Sequence, residues 1–325
     1  MLDYRFFQTR YRFEGTLTLE TALHIGTGQV ATLTDSPILR NAAGEPFIPG
    51  ASLKGAFRAA VSRIAPNLDH PDAEKKNFQI CDPFGVDDFC ISPQKGILDE
   101  AYRNLRGYLG RSLPTAKVER NEDVNHAIDA LETFGKEDWK GKTLTEKDLL
   151  TLLEENLCPV CQVFGSPYYA AKARFDDLPV KNWFQVREIR DGVGIDRDSE
   201  RAIDGIKYDF EVVPAGTTFK FGLTLENPSE QDAGLIAIGL REMEEAMIRL
   251  GGIRSRGLGV CRLTLEKIEK LDATDPKQLM AYLKKRGNRE VKNGREHEVE
   301  SKEERIQIEA FFAEAIDKLF AQLEV

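Results

Sequence analysis

Residues able to do chemistry fall at four places along the chain. The first is Cys158-Pro159-Val160-Cys161, two thiols at C-x-x-C spacing. Such a pair grips one side of a tetrahedral zinc ion, and Cys81 and Cys90 supply a second pair. The two pairs lie too far apart for a simple zinc-finger pattern, so a shared Zn2+ requires the segment between them to fold back on itself. Thiolate–zinc bonds tie together polar loops that lack a core of their own. His70 is a substitute ligand. A redox-active pair or unrelated thiols fit the same residues. Cys261, in an apolar strand pattern, reads as a core residue.

The second place is Gly251-Gly252-Ile253-Arg254-Ser255-Arg256-Gly257-Leu258-Gly259. Glycines let a backbone approach a phosphate, and Arg254 and Arg256 offer forked donors beside it. No Gly-Lys-Ser/Thr follows, so this is not a Walker A loop. A tight helix-to-strand turn accounts for some of the glycines and for neither arginine. The third place is the bend His24-Ile25-Gly26-Thr27-Gly28 and the helix after it, on which Lys54 and Arg58 are four apart and share a face. Two cations near a helix start suit phosphate; an ordinary strand–turn–helix corner fits too. The fourth is Asp35, in Asp35-Ser36-Pro37, which by itself reads as a turn former or cap.

Elements that position these groups follow from periodicity. Phe13, Gly15, Leu17 and Leu19 alternate with polar residues, giving a first strand within residues 4–25 that runs into the His24 bend. A helix starts near Ser52, with Leu53, Ala56, Phe57, Ala60, Val61 and Ile64 on one stripe, and ends at Pro66. Residues 66–160 are polar and read as an insertion, with helical patches near 122–134 and 145–157. Tyr208, Phe210 and Val212 alternate with Asp209 and Glu211, and Phe219 to Leu225 alternate likewise. With a turn at Pro214 to Thr217, the two predict a hairpin with one buried face. A helix is expected from Gln231 to Leu250, stopped by Gly251-Gly252, and a strand over 257–268. Residues 270–304 read as a charged linker, and Ile306 to Leu323 as an amphipathic helix that docks on its own domain or, failing that, on a neighbouring subunit. Strand, helix, insertion, strands, helix, strand is the order of a ferredoxin-like (RRM-like) α+β unit.

At 325 residues, 41% hydrophobic and net charge −9, the chain can build a sizeable core and is acidic overall, which argues mildly against nonspecific nucleic-acid binding. Salt screening still permits a local basic groove. Met1 to Gly15 has no apolar signal region and no run reaches membrane-spanning length, so a cytoplasmic protein without a membrane partner is expected. Five cysteines, an odd number, do not make a disulfide scaffold.

Phe47-Ile48-Pro49-Gly50-Ala51-Ser52-Leu53-Lys54-Gly55-Ala56-Phe57-Arg58 resembles the IPGxSLKGxxR signature of the RAMP superfamily, the repeat-associated proteins of CRISPR effector complexes. His24-Ile25-Gly26 and Asp35-Ser36-Pro37 resemble the backbone subunits of type III complexes, and Val163-Phe164-Gly165 and the 251–259 loop fall in the family's order. The resemblance covers residues 16–60 and about 161–268. It implies a core of residues 1–65 and 161–269, with 66–160 inserted and 270–325 appended. It also implies a thumb hairpin near 186–207 that intercalates between RNA bases, with Arg187, Arg190, Arg197 and Lys207 as contacts. A solvated charged loop fits that segment as well.

By the same resemblance, guide RNA would lie along His24, Gly26, Lys54, Arg58, Gly252, Arg254, Ser255 and Arg256. Asp35 would cut complementary target RNA, holding Mg2+ or orienting the attacking 2′-hydroxyl. Partners would be guide RNA, target RNA, other RAMP and large subunits, and copies of the chain joined head to tail. A purely structural RNA-binding subunit is the alternative. A guide-processing endoribonuclease using His24 is a third reading.

Overall fold

A computed structural model describes residues 6–28, 34–68, 80–81, 157–166, 169–196, 198, 201–287 and 302–321. The expected helical patches at 122–134 and 145–157, along with Cys90, His70 and Arg197, lie outside the described residues. The chain forms two compact units. One comprises residues 1–7, 64–172 and 323–325, the other residues 8–63 and 173–322.

The larger unit is built on one antiparallel sheet. Its strands are β1 (Thr9–Leu19), β2 (Phe47–Ile48), β3 (Ala173–Phe175), β4 (Leu178–Asn182), β7 (Thr218–Glu226) and β8 (Cys261–Asp272), in the order β2-β4-β7-β1-β8, with β3 also on β7. β1 is central. Phe13 lies opposite Leu223 on one side and Ile268 on the other, and Leu17 opposite Phe219 and Leu263. The period-two pattern read from β1 and β7 puts Phe13, Leu17, Leu19, Phe219, Phe221, Leu223 and Leu225 in the core, each at most 1% exposed. Full burial of side chains this size contributes roughly 1.5–3 kcal/mol each. The register of β1 against β8 shifts at Glu14/Gly15, where a Cβ on Gly15 would sit 2.3 Å from the Thr264 carbonyl oxygen. Only glycine fits that close approach.

Helices cover the apolar face. α1 (Gly50–Ile64) buries Leu53, Phe57, Ala60 and Val61, and starts two residues before the expected Ser52. Gly50 donates its N–H to Asp177 Oδ1 at 2.7 Å, and a Cβ there would meet the Phe175 carbonyl at 2.5 Å. The Pro49-Gly50 pair thus lets the helix start against the turn between β3 and β4. α3 (Glu230–Glu244) opens with a capping box: Ser229 Oγ accepts the Asp232 N–H and Asp232 accepts the Ser229 N–H. α5 (Lys302–Ala321) lays Ile308, Phe312, Ala315 and Leu319 into the core and is pinned to α3 by Arg241–Glu309 and Lys318–Glu230 pairs. The docked C-terminal helix matches its amphipathic pattern, although Phe320 is exposed.

Four expectations are corrected. First, residues 208–212 do not pair with 219–225. Both edges of β7 are taken, by β1 and by β3 and β4. Residues 208–212 instead end β6 (Ala202–Val212), which pairs antiparallel with β5 (Glu188–Ile195) in a separate two-stranded sheet. Second, the helix expected to reach Leu250 ends at Glu244, because Ala246 turns left-handed at φ 57° and leaves Met247 exposed. Third, residues Pro276–Gly287 of the charged stretch form a helix, α4. Fourth, Glu211 does not face solvent but is 4% exposed.

Gly239 and Gly55 test the helical layer in opposite directions. At Gly239 of α3 a Cβ would lie 2.1 Å from the buried Phe57 ring; at Gly55 of α1 it meets nothing within 4 Å. Gly239→Ala is expected to lower stability by about 1–2 kcal/mol despite the gain in helix propensity. Gly55→Ala should raise it by up to about 1 kcal/mol. Denaturant unfolding of both variants checks this.

Candidate functional site

The chain after β1 bends at His24, runs to Asp35 and then passes alongside the base of β6. Leu23 and Val213 bond to each other through both N–H groups at 2.8–2.9 Å, and Ser36 bridges Phe210 in parallel. Glu211 organises this crossing. Its N–H donates to the Ser36 carbonyl at 3.0 Å, and its own carbonyl accepts His24 Nδ1 at 2.6 Å. Its carboxylate accepts the Ile38 N–H at 3.1 Å and an Arg40 N–H at 2.6 Å, with Arg187 at 3.8 Å. A carboxylate this buried requires such partners.

His24 is fixed through both ring nitrogens. A carbonyl can only accept, so Nδ1 carries the proton donated to Glu211, and in the neutral ring Nε2 accepts the Ser36 hydroxyl at 3.2 Å. A Cβ on Gly26 would lie 3.1 Å from that Nε2, so the glycine keeps the ring edge clear. The His24 carbonyl accepts the Gly252 N–H at 2.8 Å, which brings the Gly-rich loop to the same place. Gly251, Gly257 and Gly259 are left-handed, at φ 74°, 92° and 81°. The turn explains these three glycines. Gly252 needs no such conformation, and a Cβ there makes only ordinary contact with His24 at 3.6 Å. Arg256 donates to the Tyr208 hydroxyl at 2.8 Å, and the Tyr208 ring covers Gly192 across the β5–β6 hairpin.

Asp35 is exposed and clasped to Asp209 of β6. Its N–H donates to Asp209 Oδ1 at 2.8 Å, and its own Oδ2 accepts the Asp209 N–H at 3.1 Å. The Thr34 hydroxyl, and then the Asp35 amide, hold the Asp209 carboxyl below the usual carboxylate range.

The structure therefore gathers His24, Gly26, Asp35, Gly252, Arg256 and, through Glu211, Arg187. Arg254 and Ser255 are exposed in the same loop. Arg190 pairs with Glu188 at 2.7 Å, and Lys207 with Asp191 at 3.3 Å, along the hairpin. None of the bonds just described involves Lys54 or Arg58, which sit one turn apart on α1. Sequence reasoning missed Asp209, Glu211, Ser36 and Tyr208. The alternation of β6 was legible, but it placed both acids on a solvent face, whereas the 36–40 segment covers Glu211 and the turn at Thr34 and Asp35 bonds to Asp209.

In the smaller unit, α2 (Pro159–Phe164) starts at Cys158, whose sulfur accepts the Cys161 N–H at 3.4 Å. Cys81 joins them, its sulfur 3.4 Å from that of Cys161 and 3.7 Å from that of Cys158. Two thiolates bound at about 2.3 Å to one tetrahedral zinc lie roughly 3.8 Å apart, so the three sulfurs fit such an ion. They are too far apart for a disulfide, whose sulfurs are about 2.05 Å apart. Cys261 is buried in β8 and its thiol pKa is pushed up to about 12 by burial, in keeping with a core role.

The sequence matches the RAMP superfamily over residues 16–262, and the chain belongs to that family. It is 50% identical over 54 residues to the CRISPR system Cms endoribonuclease Csm3 of Methanocaldococcus jannaschii. That match covers 15% of this chain and 21% of the archaeal protein. No helix of the described residues is long and apolar enough to cross a membrane.

Lys54 provides a pH test of the α1 cations. Burial lowers its pKa, and Arg58 adds repulsion. The cost of keeping it charged is fully present below its folded pKa and fades as pH rises from there toward the unfolded value, about 10.4. Lys54→Met is therefore expected to raise the melting temperature at pH 7, with the gain shrinking toward pH 10. Melting curves across that range decide it.

Proposed function

We propose that this chain is a guide-RNA-binding backbone subunit of a type III CRISPR interference complex and cuts complementary target RNA with Asp35. The observation that carries this reading is the placement of Asp35. It is an exposed acid held beside the His24 bend, the Gly-rich loop and one end of the β5–β6 hairpin, in a RAMP-family chain with a stretch half identical to a Csm3 endoribonuclease. The strand order β8-β1-β7 followed by β3 and β4, with α1 and α3 on one face, supports a ferredoxin-like core.

Guide phosphates run along Lys54 and Arg58 and over the Gly-rich loop, where Gly252 leaves its Cα face open and Arg254, Ser255 and Arg256 supply donors. The β5–β6 hairpin is the thumb, with Arg187, Arg190 and Arg197 facing RNA, and copies of the chain join head to tail around it. Among the described residues Asp35 Oδ1 has no hydrogen-bond partner, so it is available to accept the 2′-hydroxyl proton of a splayed target nucleotide. The 2′ oxygen then bonds to the adjacent phosphorus and the bond to the 5′ oxygen breaks; solvent water gives that oxygen a proton, leaving a cyclic phosphate and a 5′-hydroxyl, and Asp35 returns its proton to solvent. Much of the rate comes from holding that in-line geometry. In the other role open to it, Asp35 Oδ1 would instead hold Mg2+, which would supply charge neutralisation at the phosphate. A Zn2+ held by Cys81, Cys158, Cys161 and Cys90 ties the insertion of residues 66–160 together. The complex works in the cytoplasm with other RAMP and large subunits.

One observation favours a non-catalytic RNA-binding subunit: the Asp35 carboxylate already serves the turn by accepting the Asp209 N–H. Assembled complex with Mg2+ and guide-complementary RNA separates the readings. Asp35→Ala is expected to lower cleavage by at least about 100-fold with target binding unchanged. Equal absence of cutting in wild type assigns the structural role. His24 offers no free ring nitrogen among the described residues, which weighs against guide processing.

Elemental analysis is expected to find about one zinc per chain. Cys158→Ser should lose most of it and make residues 64–172 more protease-sensitive, while the larger unit stays folded.

A further inference from the structure

We infer that Asp209 is a positioning residue for Asp35: its carboxylate accepts the Asp35 amide and holds the Asp35 backbone where the Asp209 N–H engages one carboxylate oxygen and leaves the other toward the substrate. The role rests on the catalytic reading of Asp35 and deepens it. The two residues exchange amide–carboxylate bonds, Asp35 N–H to Asp209 Oδ1 at 2.8 Å and Asp209 N–H to Asp35 Oδ2 at 3.1 Å. An exposed aspartate on a loop ordinarily turns about χ1 and χ2. Here Oδ2 is committed to β6, which leaves Oδ1 as the oxygen with no partner among the described residues.

The clasp sits at the start of a short ladder. Thr34 donates to the Asp209 carboxylate, Ser36 bridges Phe210, and Glu211 donates to the Ser36 carbonyl at 3.0 Å. The Asp209 carboxylate holds the Asp35 backbone from one side, and the Asp209 backbone holds the Asp35 carboxylate from the other. Removing the Asp209 side chain therefore frees the amide of Asp35 and loosens the carboxylate that cuts. Because the side chain acts by accepting hydrogen bonds, an amide oxygen in its place should serve almost as well as a carboxylate.

Full-length wild type, Asp209→Asn, Asp209→Ala and Asp35→Ala, each assembled into complex, are compared for single-turnover cleavage of guide-complementary RNA, target affinity and melting temperature. Asp209→Ala is expected to cleave about 10- to 100-fold more slowly with target affinity unchanged, while Asp209→Asn stays within about threefold of wild type. Equal loss in both variants overturns the proposal, because charge rather than acceptance would then be required. No loss in Asp209→Ala overturns it too. A fall in target affinity and melting temperature that parallels the loss of cutting assigns Asp209 to folding and overturns it as well. Asp35→Ala decides the underlying reading: if it cuts as wild type does, that reading fails and the role of Asp209 with it. If Asp35→Ala is inactive and Asp209→Ala is not, the positioning role alone fails.

Discussion

Glu211 is the residue on which the site geometry depends. Its amide, its carbonyl and both carboxylate oxygens are engaged, with Ser36, His24, Ile38 and Arg40. A buried carboxylate left without partners costs several kcal/mol, so the segments bearing those partners are held against β6. That constraint sets the His24 ring, through the ring the position of Gly26 and Ser36, and through the His24 carbonyl the start of the Gly-rich loop. Asp35 lies one residue outside the bonded crossing.

Beneath this site the sheet supplies rigidity. β1 and β8 pair over most of their length and carry the loops on either side of the crossing. The helical layer closes by contacts that only glycine allows, Gly239 against Phe57 and Gly234 against Leu319. Small residues there set helix spacing, and helix spacing sets where α1 presents Lys54 and Arg58.

What was legible in the sequence was periodic. β1, β7, α1 and the C-terminal helix each declared a face through their apolar spacing, and the structure buries those faces. The C-x-x-C pair was legible through residue type. What was not legible depends on long-range pairing. β6 alternates as cleanly as β7, and nothing in the alternation says that β7 has both edges occupied, so the local hairpin was preferred over pairing with β5. Alternation likewise marks Glu211 as outward, because burial of an acid depends on a covering segment 171 residues away, at Arg40. Ala246 ended a helix whose apolar spacing continued to Leu250, since a left-handed alanine has no signature in composition.

The β5–β6 hairpin and the Asp35 clasp share one strand. β6 is one strand from Ala202 to Val212, so the residues grasping the acid belong to the same two-stranded ribbon that β5 and β6 form apart from the main sheet. A strand that is both lever and anchor transmits displacement along its length. Whatever bears on the evenly paired stretch from Lys207 to Val212 therefore bears mechanically on the acid at its root, whereas the register shift between Val193 and Ile195 separates that stretch from the far end of the ribbon and absorbs load applied there.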